Sequence, residues 1–213
     1  MKARIIVILA WLIVTNYVSA SGKIYYDSLF VIANKDSIAR RWVGSSDESL
    51  EKLHWVLSLE KAYYIESSAQ AGQFLDTIKK IEKKLYPSGT SGLYSFFLAS
   101  KYVKENRLYE AYNSFSEAIA KFRINKDSFG LAHSLISIST LPNSGNAASS
   151  DLTGLAEAEK IALSLKQTKL LIRLYMAYLR QYMSNAAERN KEIDGIFKKL
   201  KAAIKGKKMS IGA

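Results

Sequence analysis

The chain has two histidines, and one of them stands in a spacing that metal chemistry uses. Glu51-Lys52-Leu53-His54 is a Glu-x-x-His step, which puts a carboxylate and an imidazole on one face of a helix, as di-iron bundles do. Such a centre needs a second copy and two further carboxylates. His133 has no glutamate three residues before it, so no metal site is expected. His133 lies between Ala132 and Ser134 in a helical pattern and reads as a hydrogen-bonded structural residue. No Gly-x-Ser-x-Gly, His-Glu-x-x-His, phosphate-binding glycine loop or calcium loop occurs. The serines have the positions of caps, turns and small packing residues, and no base is marked out for a nucleophile. Cysteine is absent, which removes disulfides, thiolate metal sites and thiol nucleophiles. The sequence thus points to no catalytic residue, cofactor or metal, and to a non-enzymatic chain.

The elements that would position any site are helical. The 213 residues are 48% hydrophobic and 11% aromatic, enough for a sizeable core, and 2 prolines leave room for long helices. Lys2 and Arg4 precede an apolar run from Ile5 to Val14, and Val18-Ser19-Ala20 supplies small residues where a signal peptidase cuts. This is the layout of a secretory signal peptide over residues 1–20, with cleavage expected after Ala20. The run is too short for a membrane-spanning helix of about 20 apolar residues. Losing it takes the net charge from +12 to +10. No Asn-x-Ser/Thr sequon is present, and the pattern as a whole suits bacterial export, to the periplasm or outside the cell. An exported basic chain points to acidic partners or a membrane surface before nucleic acid.

Residues 21–44 carry a run too short to assign by period and are taken as helical. Ser45-Ser46-Asp47-Glu48 has the form of a capping box, followed by helical spacing from Leu50 to Tyr64. Phe74, Ile78, Ile81 and Leu85 form the apolar face of a helix ended by Pro87-Ser88-Gly89. Thr90 or Ser91 is placed to cap the next helix. Leu93 to Phe122 then holds two amphipathic patterns joined at Glu105-Asn106-Arg107. Residues 142–151 read as an exposed loop, and further helices follow through Leu155, Ala158 and Ala162, then Leu170, Leu174 and Tyr178. The last helix, from about Ala186 to Lys205, shows a narrow stripe of Ile193, Phe197, Leu200 and Ile204. The tail 207–213 is expected to fray.

Phe74 and Leu108, Ile81 and Phe115, and Leu85 and Ile119 are each separated by 34 residues, with Gly72 and Asn106 expected at one turn position. Leu98, Ala99, Tyr102, Leu108, Ala111, Phe115 and Ala118 resemble the tetratricopeptide repeat motif. Ser95, Asn106 and Arg123 stand where that family has tryptophan, glycine and proline. The resemblance implies an all-α solenoid of stacked antiparallel hairpins, about eight or nine helices over residues 45–206. It also implies a concave groove for an extended peptide or partner helix, lined by Glu66, Gln70, Phe96, Ser100, Val103 and Lys104. Phe97, Tyr102 and Phe115 are expected in the core.

Lys198, Lys199, Lys201, Lys205, Lys207 and Lys208 surround the thin apolar stripe of the last helix. They form either the polar outer face of a capping helix or a patch for a membrane surface or acidic partner, with Phe197 and Leu200 inserting. The expected function is that of an exported interaction module or scaffold binding a protein or peptide. The alternatives are a peripheral membrane-associated module, and a ligand sensor or enzyme with a pocket among the aromatic helices.

Overall fold

The computed structural model describes residues 33–44, 52–53, 55–59, 71–87, 91–141, 152–183 and 190–211. Among these every element is α-helical and no strand occurs, as the helical spacing predicts. The 1–20 leader, the Ser45–Glu48 box and the 142–151 loop lie outside the described residues. Among the described residues no helix is long and apolar enough to cross a membrane.

The chain divides into two compact units, Met1–Ser88 and Gly89–Ala213. In the first, α1 (Lys35–Gly44) and α2 (Ala71–Leu85) are described, with helical residues at 52–53 and 55–59 between them. Ile38, Trp55, Leu57, Ile78 and Ile81 are buried, and the Arg41 guanidinium lies 5.3 Å from the Trp55 ring centroid. Gly72 is the second residue of α2, inside the helix, so it does not share a turn position with Asn106.

The second unit contains α3 (Leu93–Lys104), α4 (Leu108–Ile124), α5 (Ser128–Ser139), α6 (Leu152–Ser164), α7 (Thr168–Met183) and α8 (Asn190–Ile211). Each helix packs on its neighbour in sequence, and α5 also meets α7. This is the pairwise stacking of hairpins in a solenoid. Three tight corners share one construction. Asn106, Lys126 and Lys166 take positive φ of 58°, 57° and 52°. The next amide in each reaches back five residues, Arg107 to Tyr102, Asp127 to Phe122 and Gln167 to Ala162. That is the Schellman closure of a helix C-terminus, adopted here without glycine. The corners at Lys126 and Lys166, each leading from an even-numbered helix into the next odd one, stand 40 residues apart, while the starts of α3 and α5, Leu93 and Ser128, are 35 apart.

α5 is the centre of the stack. Gly130 to Ser137 are all buried, as befits a helix covered on every side. Asp127 caps it, Oδ1 accepting the Gly130 amide at 2.9 Å. α3 starts differently from expectation. Its N-cap is Gly92 at φ 84°, while Ser91 Oγ accepts the Leu93 amide at 3.2 Å; Thr90 lies outside the described residues. α8 continues through Ile211, into the segment expected to fray.

α7 carries a buried aromatic cluster that makes this unit sensitive to base. Tyr175 donates to Glu159 Oε1 at 3.2 Å, and Lys199 donates to the same oxygen at 2.7 Å. Burial first, and the Glu159 charge second, push the Tyr175 phenol up to about 12. The folded state therefore holds this proton more tightly than the unfolded chain. Its contribution is intact below about pH 10 and is lost between about 10 and 12, on the order of 1–2 kcal/mol. Tyr175→Phe should be about 1 kcal/mol less stable than the wild type at pH 8, through the lost hydrogen bond. Urea unfolding at pH 11 should show that difference closing or reversing.

Candidate functional site

α4 and α6 both lie along α5, and between them runs a cleft of about 370 Å³. Its floor is Leu135, Ile138 and Ser139 of α5. Small residues keep it open: Ser116 and Ala120 stand one turn apart on α4, and Thr153 and Gly154 open α6. A Cβ on Gly154 would meet only the Leu135 Cδ2 methyl at 3.5 Å. Tyr112 and Ile119 line the α4 wall. At the rim, Arg123 Nη2 meets Glu157 Oε2 at 2.6 Å, joining α4 to α6. Both side chains are well exposed, so the pair is worth no more than about 1 kcal/mol and a charged ligand can exchange for either partner. An apolar floor, hydroxyls and a labile ion pair suit binding, and the volume falls in the range of sites that admit a small ligand or one or two side chains.

On the α7 side of α5 the buried polar groups are tied to one another. Arg173 Nη1 lies 2.7 Å from His133 Nδ1, and Nη2 donates to Ser137 Oγ at 2.9 Å. Ser137 Oγ in turn donates to the His133 carbonyl at 2.8 Å. A guanidinium has only donors, so Nδ1 must accept and the imidazole proton sits on Nε2. Gln181 Nε2 donates to the Ser139 carbonyl nearby. His133 and Arg173 are 40 residues apart, the spacing of the Lys126 and Lys166 corners, so they are equivalent positions on stacked helices. Ser137 Oγ thus donates to a carbonyl and accepts from Arg173, and the cluster ties α5 to α7. This agrees with the hydrogen-bonded role expected for His133. Ser134 Oγ, fully buried on the same helix, has no hydrogen-bond partner among the described residues.

Four of the residues expected to line a groove, Phe96, Ser100, Val103 and Lys104, share one side of α3. Glu66 and Gln70 lie outside the described residues. Phe96 is 4% exposed, its ring edge-on to Phe97 at 5.5 Å and Phe115 at 5.7 Å, which makes it core. Ser100 and Val103 are half-buried, Ser100 donating to the Phe96 carbonyl, and Lys104 is exposed. Tyr102, expected in the core, is half-buried under the Arg107 guanidinium at 4.3 Å. Among the described residues no group of three His, Asp or Glu side chains could hold a metal; Glu51 and His54 lie outside them.

The basic patch of the last helix is divided. Lys198, Lys199, Lys201 and Lys205 are all exposed, but Lys199 reaches back to Glu159 and lies 5.8 Å from the Tyr175 ring centroid. Lys207 and Lys208 belong to α8, with side chains outside the described set. The expected stripe is displaced as well. Ile196 is the buried residue and Leu200 half-buried, while Phe197 and Ile204 stand 45% and 44% exposed.

Sequence reasoning passed over the cleft because Tyr112, Ser116, Ala120 and Glu157 are ordinary residues on amphipathic helices. Only the divergence of α4 from α6 makes them neighbours. No protein-family model, curated protein or solved structure matches the chain.

Proposed function

We propose that this chain is an exported helical-repeat interaction module whose cleft between α4, α5 and α6 receives a short segment of a partner protein. The observation that carries the reading is the combination of an apolar floor (Leu135 and Ile138) with an exchangeable rim pair (Arg123 and Glu157) in about 370 Å³. A partner segment of this kind offers one apolar side chain to the floor and a carboxylate to Arg123. Ser116, half-buried on the α4 wall, offers a hydroxyl to its backbone. Binding, rather than bond-making, is the chemistry such an arrangement performs, and the basic charge of the chain steers acidic partners toward it. The resemblance of the central hairpin to tetratricopeptide repeats supports the same class of function. Export rests on the leader, so N-terminal sequencing of the mature protein should begin at Ser21.

The test is selection of a random peptide library on the immobilised chain. Enriched peptides should share an apolar anchor beside an acidic residue. Ala120→Trp, at an exposed rim position, fills the cleft and should weaken their binding by at least about 30-fold, the effect of losing a hot spot. Tyr109→Ala, exposed on α4 and not part of the cleft lining, should leave binding unchanged. Equal binding by Ala120→Trp would show that the cleft is not the site. Stabilisation by small-molecule fragments, with no peptide enriched, would favour a ligand sensor instead.

A further inference from the structure

α8 presents two residue lines to solvent. Phe197 and Ile204 are seven residues apart, so they stack on one side of the helix about 10 Å apart. Lys198 and Lys205 repeat the same seven-residue step on an adjoining line, about 100° around the helix. Lys201 sits between the lines, four residues after Phe197 and three before Ile204. All five side chains are exposed, and Asp194 is the carboxylate among the described residues on this face.

The opposite side of α8 is held in place. Ile196 is buried, Leu200 and Ala203 are half-buried, and Lys199 bonds Glu159 of α6 at 2.7 Å while facing the Tyr175 ring of α7. These contacts fix the rotation of the helix and hold the Phe197–Ile204 line outward. A helix that merely ends a stack needs a polar outer face, and two large apolar groups in line depart from that need. Single exposed apolar residues are ordinary on protein surfaces. A paired apolar line bordered by three lysines is the pattern of a helix that lies in a headgroup layer.

We propose that the outer face of α8 docks on an anionic phospholipid bilayer. Phe197 and Ile204 enter the acyl boundary, and Lys198, Lys201 and Lys205 pair with headgroup phosphates. The aliphatic stems of the lysines run along the interface, so the charges reach headgroups while the apolar line sinks below them. Charge complementarity selects the partner: a chain of net charge +12, or +10 without the leader, with three lysines on this face is drawn to negative lipid. A soluble acidic protein would answer the lysines but offers no reason for the apolar line. The docking is separate from the cleft between α4 and α6, and either can hold without the other.

The absence of cysteine allows a single label to be placed at will. Full-length chain carrying Ile204→Cys, labelled with an environment-sensitive fluorophore, is mixed with phosphatidylglycerol vesicles and with phosphatidylcholine vesicles. The label should shift to the blue on phosphatidylglycerol alone and return on raising salt. A label at the exposed Glu192→Cys, on the side of α8 opposite Lys201, should stay in water. Adding Lys198→Gln, Lys201→Gln and Lys205→Gln together should weaken partitioning on the order of 100-fold. A silent Ile204 label, an equal response to both lipids, or unchanged partitioning of the triple variant would overturn the proposal. A response to polyglutamate without vesicles would overturn it in favour of a soluble acidic partner.

Discussion

Phe122→Ala should cost about 3–5 kcal/mol, the largest loss expected from a single side chain in the second unit. Phe122 is 0% exposed at the end of α4, and its ring is enclosed by two glycines that begin other helices. A Cβ on Gly130, at the start of α5, would lie 2.6–2.8 Å from three ring carbons. A Cβ on Gly92, before α3, would lie 3.1 Å from ring Cδ1 and 3.0 Å from the Ala118 carbonyl, at a φ of 84° that L side chains resist. One ring thus pins three helices, and it does so because both neighbours lack a side chain. Gly130→Ala should cost about 1–3 kcal/mol by overpacking, since a fully buried ring has nowhere to go. In a Phe122→Leu background the same Gly130→Ala change should cost at least about 1 kcal/mol less, as residues in contact are not additive. Urea denaturation of the four proteins measures the coupling. An equal cost in both backgrounds would show that the ring is not the obstruction.

Arg173→Leu should cost about 2–3 kcal/mol although the arginine itself is exposed. Its guanidinium is the shared donor for His133 Nδ1 and Ser137 Oγ, both buried, and losing a donor to buried acceptors exacts their desolvation. Arg173→Lys should recover only part, because an ammonium cannot reproduce the planar fork that reaches both groups. His133→Leu should cost about 1 kcal/mol, and the double change should cost less than the sum, because both ends of the contact are then apolar. The geometry also sets the tautomer. Nitrogen NMR of His133 should show the proton on Nε2; a proton on Nδ1 would contradict the Arg173 contact.

The helices were largely legible from apolar spacing, and so were core residues such as Phe97, Phe115, Ala111 and Ala118. The tight corner at 105–107 was visible as a polar interruption. Its left-handed Asn106 was not, because asparagine occurs freely in loops of every geometry. Spacing between equivalent helices varies in the second unit, 35 residues from Leu93 to Ser128 and 40 from Ser128 to Thr168, because the connections between them differ in length. Phe96 was placed on a groove because the motif puts it there. Its burial against Phe97 and Phe115 depends on ring orientation, which spacing does not encode.

The last helix shows most plainly where sequence stops. Ile193, Phe197, Leu200 and Ile204 form one acceptable stripe, and Ile193, Ile196, Leu200 and Ala203 form another, about a seventh of a turn away. Periodicity cannot choose between stripes that share half their residues. The choice is made by the packing of α8 on α7, which buries Ile196 and leaves Phe197 outward, and the contact of Lys199 with Glu159 of α6, forty residues earlier, agrees with that rotation. By itself the sequence determined the helical class, the absence of cysteine chemistry and the basic charge, since these follow from residue type and local spacing. The tertiary structure alone decided which faces are covered, that Ser116, Ala120 and Gly154 border one cleft, and that two glycines enclose one ring. Each of these depends on the angle and rotation at which helices meet, set by contacts between residues far apart in the chain.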